Sequence, residues 1–201
     1  LHVDCTGGPR NASMILVALM RLLQYENIHI GKVLYSDFQK KRVEEVNPLY
    51  SFFDLVAGAE EFVRHGEVTV MKKFFEKRTT GQALKDLLVS MEQFAEELKL
   101  CRYGKLRDAI EELRRAIAAF STASSTDASA AVKQNDDLMH QILGRIHEDY
   151  QPILKAKLDD VALIRWCISH NLLQQAMTLF TERVPELLEQ SGFLRIAPEH
   201  Q

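Results

Sequence analysis

The residues best suited to chemistry lie near the start of the chain, in the run Thr6-Gly7-Gly8-Pro9-Arg10-Asn11. Two adjacent glycines permit a tight turn and a close approach of the backbone to a ligand. Such a turn feeding a helix N-terminus exposes free backbone N–H groups and the positive end of the helix dipole, which attract anions. Arg10 would add a bidentate phosphate donor. The pattern therefore predicts an anion or phosphate site.

This turn matches neither of the common phosphate-binding motifs. The P-loop spacing is absent, and so is the GxGxxG pattern of dinucleotide folds. A strand-to-helix turn that needs glycine only for its backbone angles is an equally good interpretation. Asp37 lies beyond the spacing of about 20 residues expected for a ribose-binding acid, so we interpret it as a turn residue.

The remaining polar and cysteine residues are expected to have structural roles. The histidines show no ligand-like clustering and are expected at surfaces or interfaces, namely His2, His29, His65, His140 and His147. Cys5, Cys101 and Cys167 are far apart, which supports neither a disulfide framework nor a metal site and favours a reducing cytoplasm. Asp136-Asp137 and Asp159-Asp160 are typical of helix starts. The basic run at residues 40–42 predicts a solvated loop.

The elements that position these residues follow from hydrophobic periodicity. Residues 1–6 predict a strand, residues 10–26 an apolar helix and residues 28–36 a second strand, which together make a parallel βαβ unit. Two parallel strands do not make a stable sheet, so a preceding part of the protein, a partner chain or later residues must complete it, and we favour the preceding part. Helical periodicity then predicts helices at about 47–66, 67–77, 79–104, 105–120, 132–154, 158–170 and 172–191.

Composition limits the classes of function. The chain has 201 residues, of which 46% are hydrophobic and 26% charged, with a net charge of −3. That charge excludes a generally basic, polyanion-binding surface. No apolar run is long enough for a membrane helix, so we expect no membrane partner. We predict an α+β, mostly α chain with two domains, residues 1–45 and 46–201, and a flexible loop near 121–131.

Two stretches resemble a known family. The run Asp4-x-Thr6-Gly7-Gly8-x-Arg10, with the helix and strand after it, resembles the later half of a CARF domain, the Rossmann-like sensor of CRISPR-associated accessory ribonucleases. Trp166-Cys167 and LQQAMTLFTERVP at residues 173–185 resemble the helical, HEPN-like region of the same family. The resemblance implies that the chain is a piece of a longer antiviral defence protein of type III systems.

The resemblance also implies a ligand, a partner and site residues. CARF domains pair as dimers and bind cyclic oligoadenylate, which activates a HEPN ribonuclease; no other cofactor is implied. By this resemblance Thr6, Gly7, Gly8, Arg10 and Asn11 would line the nucleotide pocket. Arg165 and His170 fit the spacing of the family's catalytic Arg–His motif, acting on single-stranded RNA, although Arg195 and His200 fit it as well.

Two further classes of function are open at this stage. A Rossmann-like enzyme would use a nucleotide cofactor and depend on Asp37. A helical interaction scaffold would bind no small molecule and would present a large apolar interface. The resemblance leaves open whether this piece of the endoribonuclease is itself active.

Overall fold

The described residues, 1–6, 12–123 and 129–193 of a computed structural model, form three short strands and eight helices. In chain order these elements are β1 Val3–Asp4, α1 Ala12–Tyr25, β2 Val33–Asp37, β3 Arg42–Glu45, α2 Asn47–His65, α3 Thr69–Glu76, α4 Gln82–Leu100, α5 Tyr103–Thr122, α6 Ala130–Tyr150, α7 Asp160–Ser169 and α8 Leu173–Gln190. The chain is therefore α+β and mostly helical, as predicted. It divides into a first unit, Leu1–Leu55, and a second unit, Val56–Gln201.

The first unit contains a small mixed sheet with the strand order β1-β2-β3. β1 pairs with β2 in parallel, and Val3 lies opposite Val33, which confirms the predicted parallel pair. β2 begins at Val33, later than the predicted start at Ile28. β3 pairs with β2 in the antiparallel direction. Because α1 connects β1 to β2, the strand–helix–strand order predicted from the sequence is present.

The third strand is not predicted by the sequence pattern. Its residues, Arg42–Glu45, are mostly charged, a composition that is depleted in strands. The preceding turn brings them back onto β2, because Asp37 Oδ1 accepts the backbone N–H groups of Gln39 and Lys40 at 2.9 and 3.0 Å. Lys41 completes the turn with a φ of 49°. The expectation of a solvated loop at residues 40–42 is therefore wrong for Arg42, which begins the strand.

The core of the first unit lies on one face of the sheet. Its buried members are Met20, Ile30, Val33 and Tyr50. Val3 and Cys5 alternate with Asp4 along the chain and so share the face that packs against this core. Asn47, at the start of α2, accepts from Val33 N at 2.7 Å and donates to the Gly31 carbonyl at 2.6 Å. These bonds attach the start of α2 to β2.

The core of the second unit is centred on aromatic rings. Tyr150 is completely buried and stacks on Phe62 with ring centroids 4.9 Å apart. Phe94 and Trp166 make edge contacts with the Tyr150 ring at 5.5 and 5.0 Å. The Tyr150 hydroxyl donates to the Phe62 carbonyl at 2.7 Å. The cluster therefore joins α2, α4, α6 and α7 through packing and one buried hydrogen bond.

Helix ends in the second unit agree with the sequence pattern to within a few residues. Gly192 has a φ of 77° after α8, which confirms its predicted position beyond the helix end. Asn171 has a φ of 57° and lies in the connection before α8, which begins at Leu173, one residue later than predicted. Among the described residues, none of the helices combines the length and hydropathy that crossing a bilayer requires.

The predicted loop near 121–131 is shorter than expected. α5 continues to Thr122, and α6 begins at Ala130 with Ser129 as its N-cap. Residues 124–128 of that loop lie outside the described residues. The interpretation of Asp136 as a helix-start acid of α6 is wrong, because it is buried within that helix. Its Oδ1 instead accepts the Gly81 amide at 3.1 Å, at the N-terminus of α4.

We predict that Tyr150→Phe lowers the free energy of unfolding by about 1 kcal/mol, because the buried Phe62 carbonyl loses one of its two donors and keeps only the Gly66 amide. Burial, with a smaller effect of the Asp149 charge, raises the pKa of Tyr150 well above its usual value, so the hydroxyl keeps the proton that it donates. Urea unfolding followed by circular dichroism measures the loss. Tyr25→Phe is the control, since that side chain is 83% exposed. Equal stabilities of the two variants would contradict the prediction.

Candidate functional site

The candidate ligand site lies where β1 ends and the chain leads to α1. Cys5 N donates to the Leu34 carbonyl at 2.8 Å, which continues the parallel ladder beyond β1. Thr6 Oγ1 then accepts from Ser36 N at 2.6 Å. Thr6 is therefore held beside the carboxyl end of β2 by its side chain. Of the predicted ligand-binding set, Gly7, Gly8, Arg10 and Asn11 lie outside the described residues.

The electrostatics on the two sides of this segment differ. The first turn of α1 carries no acidic residue, so no carboxylate there offsets the positive end of the helix dipole. On the strand side, Asp4 Oδ1 accepts the Thr6 amide at 2.8 Å. Hydrogen bonds from the Thr6 side chain and then its amide lower the pKa of Asp4, which remains ionised at neutral pH. A bound anion would therefore lie towards α1 and away from Asp4.

The carboxylate of Asp37 makes its contacts within the turn between β2 and β3. Its Oδ1 accepts two backbone amides, and its Oδ2 lies 3.3 Å from Lys40 Nζ. The Lys40 amide, followed by the Lys40 side chain and the Gln39 amide, lowers the pKa of Asp37. The interpretation of Asp37 as a turn residue is confirmed.

The second candidate site contains Arg165 and His170 in the second unit. Arg165 is exposed on α7 and makes no hydrogen bond or ion pair with the described residues. α7 ends at Ser169, and His170 is its C-cap. A continuous helix would separate the two side chains by more than about 100° around its axis. The helix ends before His170, but among the described residues no hydrogen bond joins Arg165 to His170, so the catalytic pair stays a prediction.

His170 is held on three sides. Its Nε2 lies 2.7 Å from Asp149 Oδ2, and its Nδ1 lies 2.7 Å from the Trp166 carbonyl. The ring stacks on Trp166 at 4.1 Å, and Ser169 Oγ lies 3.1 Å from Nδ1. Asp149 can therefore orient His170 as a carboxylate orients a general base. In this arrangement neither ring nitrogen is open to a substrate.

A polar network lies at the start of α7. Asp159 Oδ1 accepts Val161 N at 3.0 Å, which confirms its predicted role at the helix start. Asp160 is the first residue of α7, as predicted for a helix-start acid, and it is also buried. It accepts from the Tyr103 hydroxyl at 2.6 Å and from Arg183 Nε at 3.1 Å. The Arg183 guanidinium also lies over the Tyr103 ring at 4.2 Å. This network joins α5, α7 and α8, and places Arg183 of the 173–185 stretch in a structural role.

Sequence patterns do not reveal Asp149 or Asp160 as partners in these contacts. Asp149 is 21 positions from His170, and Asp160 is 57 positions from Tyr103. Such contacts arise from helix packing and leave no local signal. In the described parts of the chain, no three His, Cys, Asp or Glu side chains come together in a way that could hold a metal ion.

No protein-family model, curated protein or solved structure matches this chain. Its function therefore has to be argued from the two candidate sites.

We predict a coupling free energy of about 1–2 kcal/mol between Asp149 and His170 in a double-mutant cycle of Asp149→Ala and His170→Ala. The reason is that the pair is largely shielded, with side-chain exposures of 21% and 10%. Circular dichroism of urea unfolding measures it without relying on the fluorescence of Trp166.

The matched control is the pair Arg145 and Glu148, also anchored on α6, with side-chain exposures of 71% and 73%. Its coupling should stay below about 0.5 kcal/mol, because exposed ion pairs contribute little. Equal coupling energies in the two cycles would show that the His170 contact is no more than a surface pair.

Proposed function

We propose that this chain belongs to a CRISPR-associated defence protein of the CARF–HEPN kind. In this proposal the first unit binds cyclic oligoadenylate, and the second unit is the ribonuclease effector that the ligand controls. The proposal rests on the sequence resemblance and on one structural observation. That observation is the parallel pairing of β1 with β2, followed directly by the glycine-containing segment and α1.

The parallel pair supports a ligand site for a topological reason. In open α/β sheets, ligands bind outside the carboxyl ends of the strands, where loops lead to helix N-termini. Thr6 lies at that end of β1 and is bonded to Ser36 of β2. The following residues to Asn11 would cradle a ligand phosphate, with Arg10 as the charged donor. The first turn of α1 would add its dipole.

An exposed apolar stripe on α1 supports pairing of two copies of the protein. Met14, Ile15 and Leu22 are 76, 63 and 57% exposed, and Leu19 is 46% exposed. A helix that is apolar on both its buried and exposed faces is typical of an interior or interface position. We infer a homodimer in which this stripe is covered. Three free thiols support a reducing, cytoplasmic setting.

The effector step would use Arg165 and His170 on single-stranded RNA. Cleavage of RNA requires proton transfer at the attacking hydroxyl or the leaving oxygen, which an oriented histidine provides. One ring nitrogen must then exchange its protein partner for RNA. Nδ1 is the better candidate, because its partner is the neutral Trp166 carbonyl, whereas Nε2 faces the Asp149 carboxylate. Arg165 is free to contact phosphate.

We predict that calorimetry of the full-length protein detects binding of cyclic tetra- or hexa-adenylate, and that Arg10→Ala weakens it at least tenfold by removing a phosphate donor. Arg42→Ala is the matched control, since Arg42 lies on exposed β3 in the same unit and should leave affinity unchanged. Binding of neither ring would contradict the proposal. Binding of NAD that is lost in Asp37→Ala would support a metabolic enzyme instead.

We predict that His170→Ala and Arg165→Ala each reduce ligand-stimulated RNA cleavage by a factor of about 100 or more, since each removes a group acting on the reacting phosphate. Cleavage of a labelled single-stranded RNA measures the rate. Arg145→Ala, an exposed arginine on α6, should cleave normally. Unchanged cleavage by His170→Ala would rule out this catalytic pair even if ligand binding is found.

A further inference from the structure

The first unit contains an apolar cavity that the proposed function does not use. Its volume is about 530 Å³, within the range of small-molecule sites. The cavity lies on the sheet face covered by α1 and is lined by Cys5, Ser13, Val17, Met20, Val33, Tyr35, Val46, Tyr50, Phe52 and Phe53. All of these residues belong to the first unit, so the cavity is a property of that unit alone.

The walls offer almost no polar atoms to the interior of the cavity. None of its lining residues is charged. The Tyr50 hydroxyl is already used, because it donates to Gln24 Oε1 at 2.9 Å. The two charges that act on Tyr50, Arg21 and Asp54, are paired with each other, since Arg21 Nη1 lies 2.6 Å from Asp54 Oδ1. A charged or polar-edged group would therefore lose its hydration here without gaining hydrogen bonds, a cost of several kcal/mol per group.

The aromatic side chains in the cavity wall favour a ligand of a particular shape. Tyr50 and Phe53 meet edge to face, with ring centroids 6.1 Å apart and planes inclined at 61°. Tyr35 and Phe53 are each 44% exposed, so their rings form the mouth of the cavity. Aromatic rings prefer offset-stacked and edge-to-face neighbours, which favours a flat aromatic guest over a branched aliphatic one.

We propose that this cavity binds a neutral, planar aromatic molecule about the size of indole or naphthalene. Dry apolar cavities of about 150 Å³ bind benzene, so a cavity of this larger size accommodates a fused two-ring system. A polar substituent on the guest would lie at the mouth, beside the exposed Ser13 hydroxyl. The guest gains affinity from the burial of its apolar surface.

This site is distinct in chemistry from the proposed nucleotide site. Along the chain the two are neighbours, because Cys5 precedes Thr6 and Ser13 follows the first residue of α1. A purine base, however, carries ring nitrogens and an amino group that need hydrogen-bond partners. The walls provide few, so an adenine is a poor guest. Binding of an aromatic molecule in the cavity therefore does not depend on binding of cyclic oligoadenylate at the other site.

Cys5 provides a reporter for occupancy. Its side chain is half-buried in the cavity wall, and burial, followed by the Asp4 charge, raises the pKa of its thiol. The thiol therefore alkylates slowly but measurably, and a guest that covers it would slow the reaction further. Cys101 is also half-buried but belongs to the second unit, and serves as an internal control in the same sample.

The test measures iodoacetamide alkylation of Cys5 and Cys101 by peptide mass spectrometry while indole is titrated into the full chain. Indole should slow Cys5 alkylation at least fivefold in a saturable manner and leave Cys101 unchanged. Val17→Phe fills the cavity and should raise, at least tenfold, the indole concentration that gives half-maximal protection of Cys5. Val43→Phe makes the same exchange on exposed β3 and should not change it.

Two outcomes would overturn the proposal. The first is an unchanged Cys5 rate at saturating indole in the wild-type protein, a result that does not depend on whether Val17→Phe folds. The second is protection of Cys5 by adenosine at lower concentration than by indole, which would reassign the cavity to a nucleobase. Loss of cyclic oligoadenylate binding alone would leave the indole result, and this inference, unaffected.

Discussion

The first unit depends on the parallel pairing of two very short strands. Val3 N donates to the Lys32 carbonyl at 2.9 Å, and Cys5 N donates to the Leu34 carbonyl at 2.8 Å. These bonds fix which side chains face the core and hold Thr6 at the end of the sheet. Because the register of a strand decides the face of every side chain, a shift by one residue would move Cys5 out of the core. The candidate ligand site and the apolar cavity both follow from this pairing.

The second unit is organised around a different interaction, the aromatic cluster at Tyr150 and Trp166. The His170 ring stacks on the ring of Trp166, and His170 Nδ1 contacts the backbone carbonyl of the same residue. The candidate catalytic histidine is therefore attached to the hydrophobic core by its nearest neighbours. A rigid support of this kind suits an oriented general base, and it also makes His170 a structural residue in its own right.

Much of the architecture could be predicted from the sequence, because a long helix has an apolar periodicity that can be recognised in its own residues. The helices from α2 to α8 and the βαβ order of the first unit were found in this way. β3 could not be predicted, since Arg-Val-Glu-Glu forms a strand only because the turn at Asp37 lays it against β2. The buried role of Asp136 cannot be predicted either, because its partner, Gly81, is distant in sequence.

The sites were less predictable than the elements. The glycine-containing run at residues 7–8 is noticeable in the sequence because its residue types are unusual after a strand, but it lies outside the described residues and its role stays a prediction. Asp149 could not be recognised as the partner of His170, since the contact arises only when α6 packs beside the end of α7. The apolar cavity could not be predicted either, because its walls come from α1, β2, α2 and two residues between elements, and each segment has the pattern of ordinary core.

The central claim is that the segment between β1 and α1 receives the nucleotide. Amide hydrogen exchange of the full-length protein, with and without cyclic oligoadenylate, tests it most directly. The account predicts slower exchange in peptides that cover residues 4–16 and 33–37, where Thr6 meets Ser36. Protection confined to the helices of the second unit, with no change in these two peptides, would contradict it.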